Sequence, residues 1–265
     1  MIGVLFDVDD TLVDFAGAAR SALLDVAAVF DGPAAGNGRR LLDAWAQVSE
    51  REYERFLAGV VDFDQMLLDR MAAVVAVLDP SGGQQLDPAA LERLRNDSIF
   101  RHYRPYDDVP AALARLRAAS IPVGVVSNSD GDYQRRKLTA AGLADLVPGA
   151  VFSGDVGIAK PAPEIFLAGA ASLDLPPEQV VYVGDRWATD ALGALSAGLA
   201  AVWVNRPGLS RPPEAADQLQ AVSSGAPRLV ELPDLERLDA DLVTTLLATP
   251  AAGSGHGIGQ RAIGL

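Results

Sequence analysis

The apolar run from Ile2 to Phe6 stops abruptly at Asp7, and the next segment able to pair with it as a buried strand lies beyond residue 120. A short apolar run ended by acidic residues reads as a strand whose polar residues enter a loop at its carboxyl end. Buried strands need neighbours on both sides. The candidates are Pro122–Val126, Ala150–Phe152, Val180–Val183 and Ala201–Val204, with a last short strand near Leu229–Leu232. Helical patterns separate them at about Val109–Ala119, 131–141, 163–172 and 188–197, and a final one runs to about Leu247. Short buried runs alternating with helices predict an α/β fold, a parallel sheet covered by helices on both faces.

Between the first strand and the rest lies a stretch without a convincing strand. Ala18, Leu23, Val26 and Phe30 recur at helical spacing, as do Leu41, Leu42, Trp45 and Val48, with Phe56 after them. Met66, Leu67, Met71, Val74, Val75 and Leu78 form a third stripe, and Leu91, Leu94 and Ile99 a fourth. Breaks at Gly32–Pro33, Gly59 and Pro80 to Gly83 divide them into four amphipathic helices, a bundle inserted into the sheet domain. The expected organisation is a core of residues 1–14 and 105–247, a helical insertion of 15–104, and a disordered Gly/Ala-rich tail of 248–265. Residues 205–228, rich in Pro, Gly, Ser and Ala, read as a long loop.

Composition removes several kinds of chemistry. Without cysteine there is no disulfide, no thiolate zinc site and no thiol nucleophile. Two histidines, His102 and His256, are too few for a multi-histidine metal centre, so a metal would sit on oxygen ligands, which favours a hard ion such as Mg²⁺. A net charge of −13 argues against nucleic acid as a partner. No apolar run is long enough to span a membrane, and the first residues lack the basic segment of a signal peptide, so a cytoplasmic protein is expected. Of the 22 basic residues only Lys137 and Lys160 are lysines.

Ligands of open α/β sheets bind at the carboxyl ends of the strands. Those ends deliver Asp7-Val8-Asp9-Asp10-Thr11, Ser127-Asn128-Ser129, Lys160-Pro161 and Gly184-Asp185, with Asp190 five residues on. Carboxylates, a hydroxyl and an ammonium would meet at one edge. Asp7 and Asp9, two apart in an extended segment, face the same side. Taken singly these residues have ordinary uses: Asp10, Asp14, Asp107 and Asp155 read as turn formers or helix caps, and Asp130 as a cap.

In order and placement, DVDDTL, SNS, the lone KP and GDRWATD resemble the four signature motifs of the haloacid dehalogenase-like superfamily, over residues 1 to about 204. The resemblance implies a Rossmann-like core, with the insertion similar to the helical cap of the superfamily's first subgroup. It implies a Mg²⁺-dependent phosphatase acting on a small phosphorylated metabolite. In that chemistry Asp7 attacks phosphorus to form an aspartyl-phosphate, and Asp9 protonates the leaving alcohol and then deprotonates water. Asp7, Asp9 (through its carbonyl), Asp185 and Asp190 would form the metal site, Asp190 in its outer shell. Thr11, Ser127, Asn128 and Lys160 would hold the phosphoryl group, Ser127 and the Asn128 amide as donors and Lys160 as its positive charge. Leu57–Asp64 matches the place of a specificity loop, and Arg20, Arg51, Arg55, Arg101, His102 and Arg104 could reach a substrate or lie on solvated helix faces. Arg186 and Trp187 stand where smaller residues are common.

Four other functions are weighed against the same framework. A 2-haloacid dehalogenase needs no acid two residues after its nucleophile, so Asp9 disfavours it. Phosphonate cleavage would need a lysine in residues 15–104, which contain none. A phosphomutase would use the same Asp7 and Asp9. A non-catalytic binding or regulatory protein would be expected to lack Asp7, Asp9 or Lys160. Either a monomer or a homodimer is compatible with the sequence.

Overall fold

The computed structural model describes residues 1–28, 38–79, 86–146, 148–222 and 228–248. Strand β1 (Gly3–Phe6) is followed by four helices, α1 (Phe15–Ala28), α2 (Gly38–Leu57), α3 (Phe63–Leu78) and α4 (Pro88–His102). Next come α5 (Val109–Ala118), β2 (Val123–Ser127), α6 (Gly131–Ala140), β3 (Val151–Phe152), α7 (Ser153–Val156), α8 (Pro163–Ser172) and β4 (Val180–Gly184). A π-helical turn (Trp187–Leu192), α9 (Gly193–Ser196), β5 (Ala200–Val204), α10 (Ala215–Val222), β6 (Leu229–Leu232) and α11 (Ala240–Ala248) complete the order. No helix among the described residues is long and apolar enough to cross a membrane.

The chain divides into two compact units, Met1–Leu12 with Pro105–Thr139 and Leu143–Leu265, and Val13–Arg104 with Ala140–Gly142. The first unit is a six-stranded parallel sheet of order β3-β2-β1-β4-β5-β6 with helices around it, the α/β fold that the alternating pattern predicts. Every residue of β1, β4 and β5 is buried, as strands covered on both faces must be. From β1 the chain builds outward through β2 and β3, then returns to place β4 on the other side of β1. The crevice beyond the carboxyl ends of β1 and β4 is therefore a topological switch point. Register aligns the ends: Phe6 sits opposite Val125 of β2 and Val183 of β4, and the Asp7 amide donates to the Val183 carbonyl at 2.9 Å.

Against the sheet, Leu5, Val126, Ile165, Phe166, Tyr182 and Trp203 form one apolar cluster. Helix α8 lies close because Gly169 has no side chain; a Cβ there would stand 2.4 Å from Val126.

The second unit is a set of helices around Leu23, Val26, Leu41, Met71, Val74 and Leu91. Aspartates cap three of them: Asp14 accepts from the Gly17 amide, Asp62 from Gln65 and Asp87 from Ala89. Several of its basic residues are paired within the unit. Arg55 reaches both Glu52 and Asp69, and His102 and Arg101 meet the Asp25 carboxylate.

Two expectations change. Residues 205–228 are not one long loop, since Ala215–Val222 forms α10, anchored by the hydrogen bond from the Trp187 indole to Gln218. The helix expected at 188–197 starts as the π-turn Trp187–Leu192 and becomes α-helical only at Gly193. The breaks at Gly32–Pro33 and Pro80 to Gly83, and the tail from 249, lie outside the described residues.

Candidate active site

The site is assembled from strand ends. β1 releases Asp7, β2 ends at Ser127, and β4 releases Asp185 from Gly184. The π-turn then brings Asp190 back over the end of β4, where Gly184 makes room for it. A Cβ on Gly184 would stand 2.5 Å from an Asp190 carboxylate oxygen. The Asp190 carboxylate accepts from the Arg186 amide at 2.9 Å with one oxygen and from Lys160 at 2.8 Å with the other.

Lys160 is the centre of this arrangement. Its Nζ donates to Asp7 at 2.7 Å, to Asp190 at 2.8 Å and to the Tyr182 hydroxyl at 2.9 Å. An ammonium has three hydrogens, and three buried acceptors receive them. A planar guanidinium could not send donors to three separate groups converging on one point. Tyr182 in turn donates to the Val126 carbonyl, and Phe166 packs edge-on against its ring at 4.9 Å. The Lys160 backbone is held by Asn128, whose side chain accepts from the Lys160 amide at 2.7 Å and donates to the Lys160 carbonyl at 2.9 Å. The Asn128 side chain is thus committed to the lysine loop.

Asp7, Asp185 and Asp190 bring one carboxylate oxygen each to within 4.8 Å of one another, a group able to hold a metal ion. Asp9 is not in that group; its carboxylate faces Lys137 instead, at 2.6 and 2.8 Å. Thr11 is fully buried, and its hydroxyl donates to Asp185 at 3.4 Å. Ser127 is buried and accepts from Gln134 at 3.1 Å. Trp187 packs edge-on against Trp203 at 5.2 Å, and the Trp203 indole donates to the Asp185 carbonyl at 2.7 Å.

Charge at the site is unbalanced. Burial, opposed by Lys160 and reinforced by Asp190 and Asp9, pushes the Asp7 carboxyl up to about 6. Burial with Asp7, Asp190 and Asp10 nearby pushes Asp185 up to about 8, Arg186 only partly opposing it. Burial alone would lower Lys160, but Asp190 and Asp7 outweigh it and hold the ammonium well above the usual lysine range. One buried ammonium is too little positive charge for three crowded carboxylates. An oxygen-only donor set with unmatched negative charge is what a hard divalent cation takes, so these residues fit Mg²⁺.

Gln134, Lys137, Tyr182 and Trp203 were not legible as site residues in the strand-end reading. For Lys137 a signal existed: it is one of the two lysines in a chain that otherwise uses arginine.

A family model described as haloacid dehalogenase-like hydrolase matches residues 2–198. The phosphoserine phosphatase of Thermus thermophilus is 31% identical over 245 residues, covering 82% of this chain and 94% of that protein. The (S)-2-haloacid dehalogenase of Pseudomonas fluorescens is 28% identical over 206 residues, covering 77% and 84% respectively. Among solved structures, a magnesium-bound HAD-type hydrolase of Bacillus subtilis aligns with a TM-score of 0.70 at 23% identity, covering 91% of this chain and 98% of that one. With the family model spanning most of the chain and the same sheet beneath the site, this protein belongs to the haloacid dehalogenase-like hydrolases.

Proposed function

We propose that this hydrolase is a Mg²⁺-dependent phosphatase acting on a small phosphomonoester through an aspartyl-phosphate on Asp7. The observation that carries the reading is Asp7 itself, a buried carboxylate shared between the Lys160 ammonium and the Asp185–Asp190 group. A carboxylate attacks a phosphate dianion only where negative charge is neutralised. Asp7, Asp185 and Asp190 would hold Mg²⁺, which supplies that neutralisation when bound. Dehalogenase relatives share the fold, but Asp9 favours the phosphatase reading. Halide leaves as an anion without a proton, whereas an alkoxide leaving from phosphorus requires one.

The residues divide the reaction into two balanced steps. An Asp7 oxygen forms a bond to phosphorus while the bond from phosphorus to the alcohol oxygen breaks; that oxygen takes the electron pair and a proton from Asp9. Water then attacks phosphorus and gives its proton to Asp9, the bond from phosphorus to Asp7 breaks, and the carboxylate is restored. Lys160 holds Asp7 in place, and Ser127 with the Asn128 amide donates to the phosphoryl oxygens. Phosphoserine and other small phosphorylated metabolites are the substrate class to test, as the phosphatase relative suggests.

The test is phosphate release from a panel of small phosphomonoesters, with and without Mg²⁺, for wild type and Asp7→Asn. Metal-dependent release lost in the variant supports the reading. Release of halide from 2-haloacids without release of phosphate would replace it with the dehalogenase.

A further inference from the structure

Helix α6 begins four residues after Ser127 and places Gln134 and Lys137 three apart, on one face. Lys137 is 2% exposed, yet its ammonium binds both oxygens of Asp9, at 2.6 and 2.8 Å. The Tyr133 ring lies 5.2 Å from the same ammonium. A buried ammonium is costly unless paired, and the carboxylate pairing with it here stands two residues after Asp7. Fully buried Gln134 joins the same group, its amide nitrogen 3.1 Å from the Ser127 hydroxyl and 3.4 Å from an Asp9 oxygen. The amide oxygen of Gln134 is buried without a hydrogen-bond partner. An apolar side chain would fill that space without an orphaned oxygen, so the glutamine is explained by what its nitrogen does.

We infer that Lys137 is the positioning residue of Asp9, and that Gln134 links it to Ser127. The inference rests on the phosphatase reading. Asp9 sits on a loop with its side chain 31% exposed, free to rotate unless held. Two contacts from one ammonium fix the plane of the ionised carboxylate. When Asp9 carries the proton, one oxygen holds it and faces the leaving oxygen while the other keeps its contact with Lys137, so the alignment is retained for the transfer. By donating to Ser127, Gln134 occupies an acceptor position and leaves the serine hydrogen for another oxygen. One helix face thereby sets both the proton donor and a phosphoryl contact.

The experiment measures kcat/KM with Mg²⁺ for an alkyl phosphate and for p-nitrophenyl phosphate, in wild type, Lys137→Met and Lys137→Gln. For an aspartyl-phosphate pathway kcat/KM reports the first transfer, where the alkyl alcohol needs a proton and p-nitrophenolate leaves without one. Loss of Asp9 alignment should lower the alkyl value about tenfold or more beyond the loss on p-nitrophenyl phosphate. Either folded variant, checked by circular dichroism, reads the same ratio. Equal losses on both esters, as a general structural defect would give, or no loss on either, would overturn the inference while leaving an active phosphatase. A wild type active on neither ester would overturn the phosphatase reading and this inference with it.

Discussion

Replacing Lys160 by methionine keeps the length and removes the charge that three buried groups share. Asp7, Asp190 and Tyr182 each lose a hydrogen bond of 2.7 to 2.9 Å in a site where Lys160 is 6% exposed. Breaking a buried ion pair by removing one partner costs about 3–5 kcal/mol, because the remaining charge stays buried and unpaired. A unit of this size shifts its melting temperature by about 2–4 °C per kcal/mol, so metal-free Lys160→Met should melt about 6–20 °C below wild type near pH 8.

The same variant should be far milder in acid. Asp7 and Asp185 have folded-state values raised to about 6 and about 8, so the stability tied to their protonated forms is full below the ordinary carboxylate range. It is lost as pH rises through those values. Lys160 lies well above its usual range, so it stays charged across this window and its own titration does not intrude. Near pH 5 the orphaned Asp7 carboxyl of the variant takes up a proton, and the cost shrinks to a missing hydrogen bond or two, about 1–2 kcal/mol. Thermal melts in EDTA at both pH values test this. A drop under about 3 °C near pH 8, or an equal drop at both pH values, would refute the account of Lys160 as counterion to a crowded carboxylate site.

Adding Mg²⁺ at about 100 times its dissociation constant should stabilise the wild type by about 2.7 kcal/mol, an upward shift of several degrees. The shift should be larger near pH 8 than near pH 5, because ligand carboxyls must ionise to bind, and calorimetric melts at both pH values check it. Gly184→Ala puts a Cβ 2.6 Å from the Asp190 carboxylate carbon, so it should cost about 1–3 kcal/mol and lower kcat/KM as Asp190 is pushed off Lys160; melts and phosphate release report both. Trp203→Phe removes the donor to the Asp185 carbonyl and should weaken Mg²⁺ binding about tenfold, read by titration calorimetry.

The strands were legible because residues buried on both faces are almost uniformly apolar and each run ends where the polar loop begins. Phe6 to Asp7 and Gly184 to Asp185 are such ends, and the parallel register makes their alignment follow from pairing alone. Helix α10 was not legible, because Pro, Gly and Ser dominate its surroundings and its anchoring comes from Trp187, 31 residues before Gln218. The π-turn was hidden for a different reason. Its sequence carries an ordinary helical pattern, and the wider winding goes with a contact that only the folded chain makes, Asp190 reaching back to the Arg186 amide and Lys160. Lys137 falls between these cases: its rarity was visible, but which way α6 turns toward the strand ends is a property of the fold.

The overall resemblance does not choose between the two chemistries represented among the relatives. A phosphatase and a dehalogenase match this chain at 31% and 28% identity over comparable spans, and the sheet serves either reaction. The choice must come from charge and protons at the reacting atoms. Hydrolysis of a phosphate ester needs positive charge around Asp7 and a proton delivered to the alcohol; expulsion of a halide needs no such proton. In this chain the two lysines stand beside the two carboxylates in question, Lys160 against Asp7 and Lys137 against Asp9, as the proposed phosphatase would use them. Arginine serves where charge meets solvent or spans a fork, as with Arg206 on the two oxygens of Asp108. At Lys160 the compact ammonium meets three separate acceptors that a planar group would not fit. That placement is a local argument for phosphoryl transfer, and it stands apart from the ancestry of the fold.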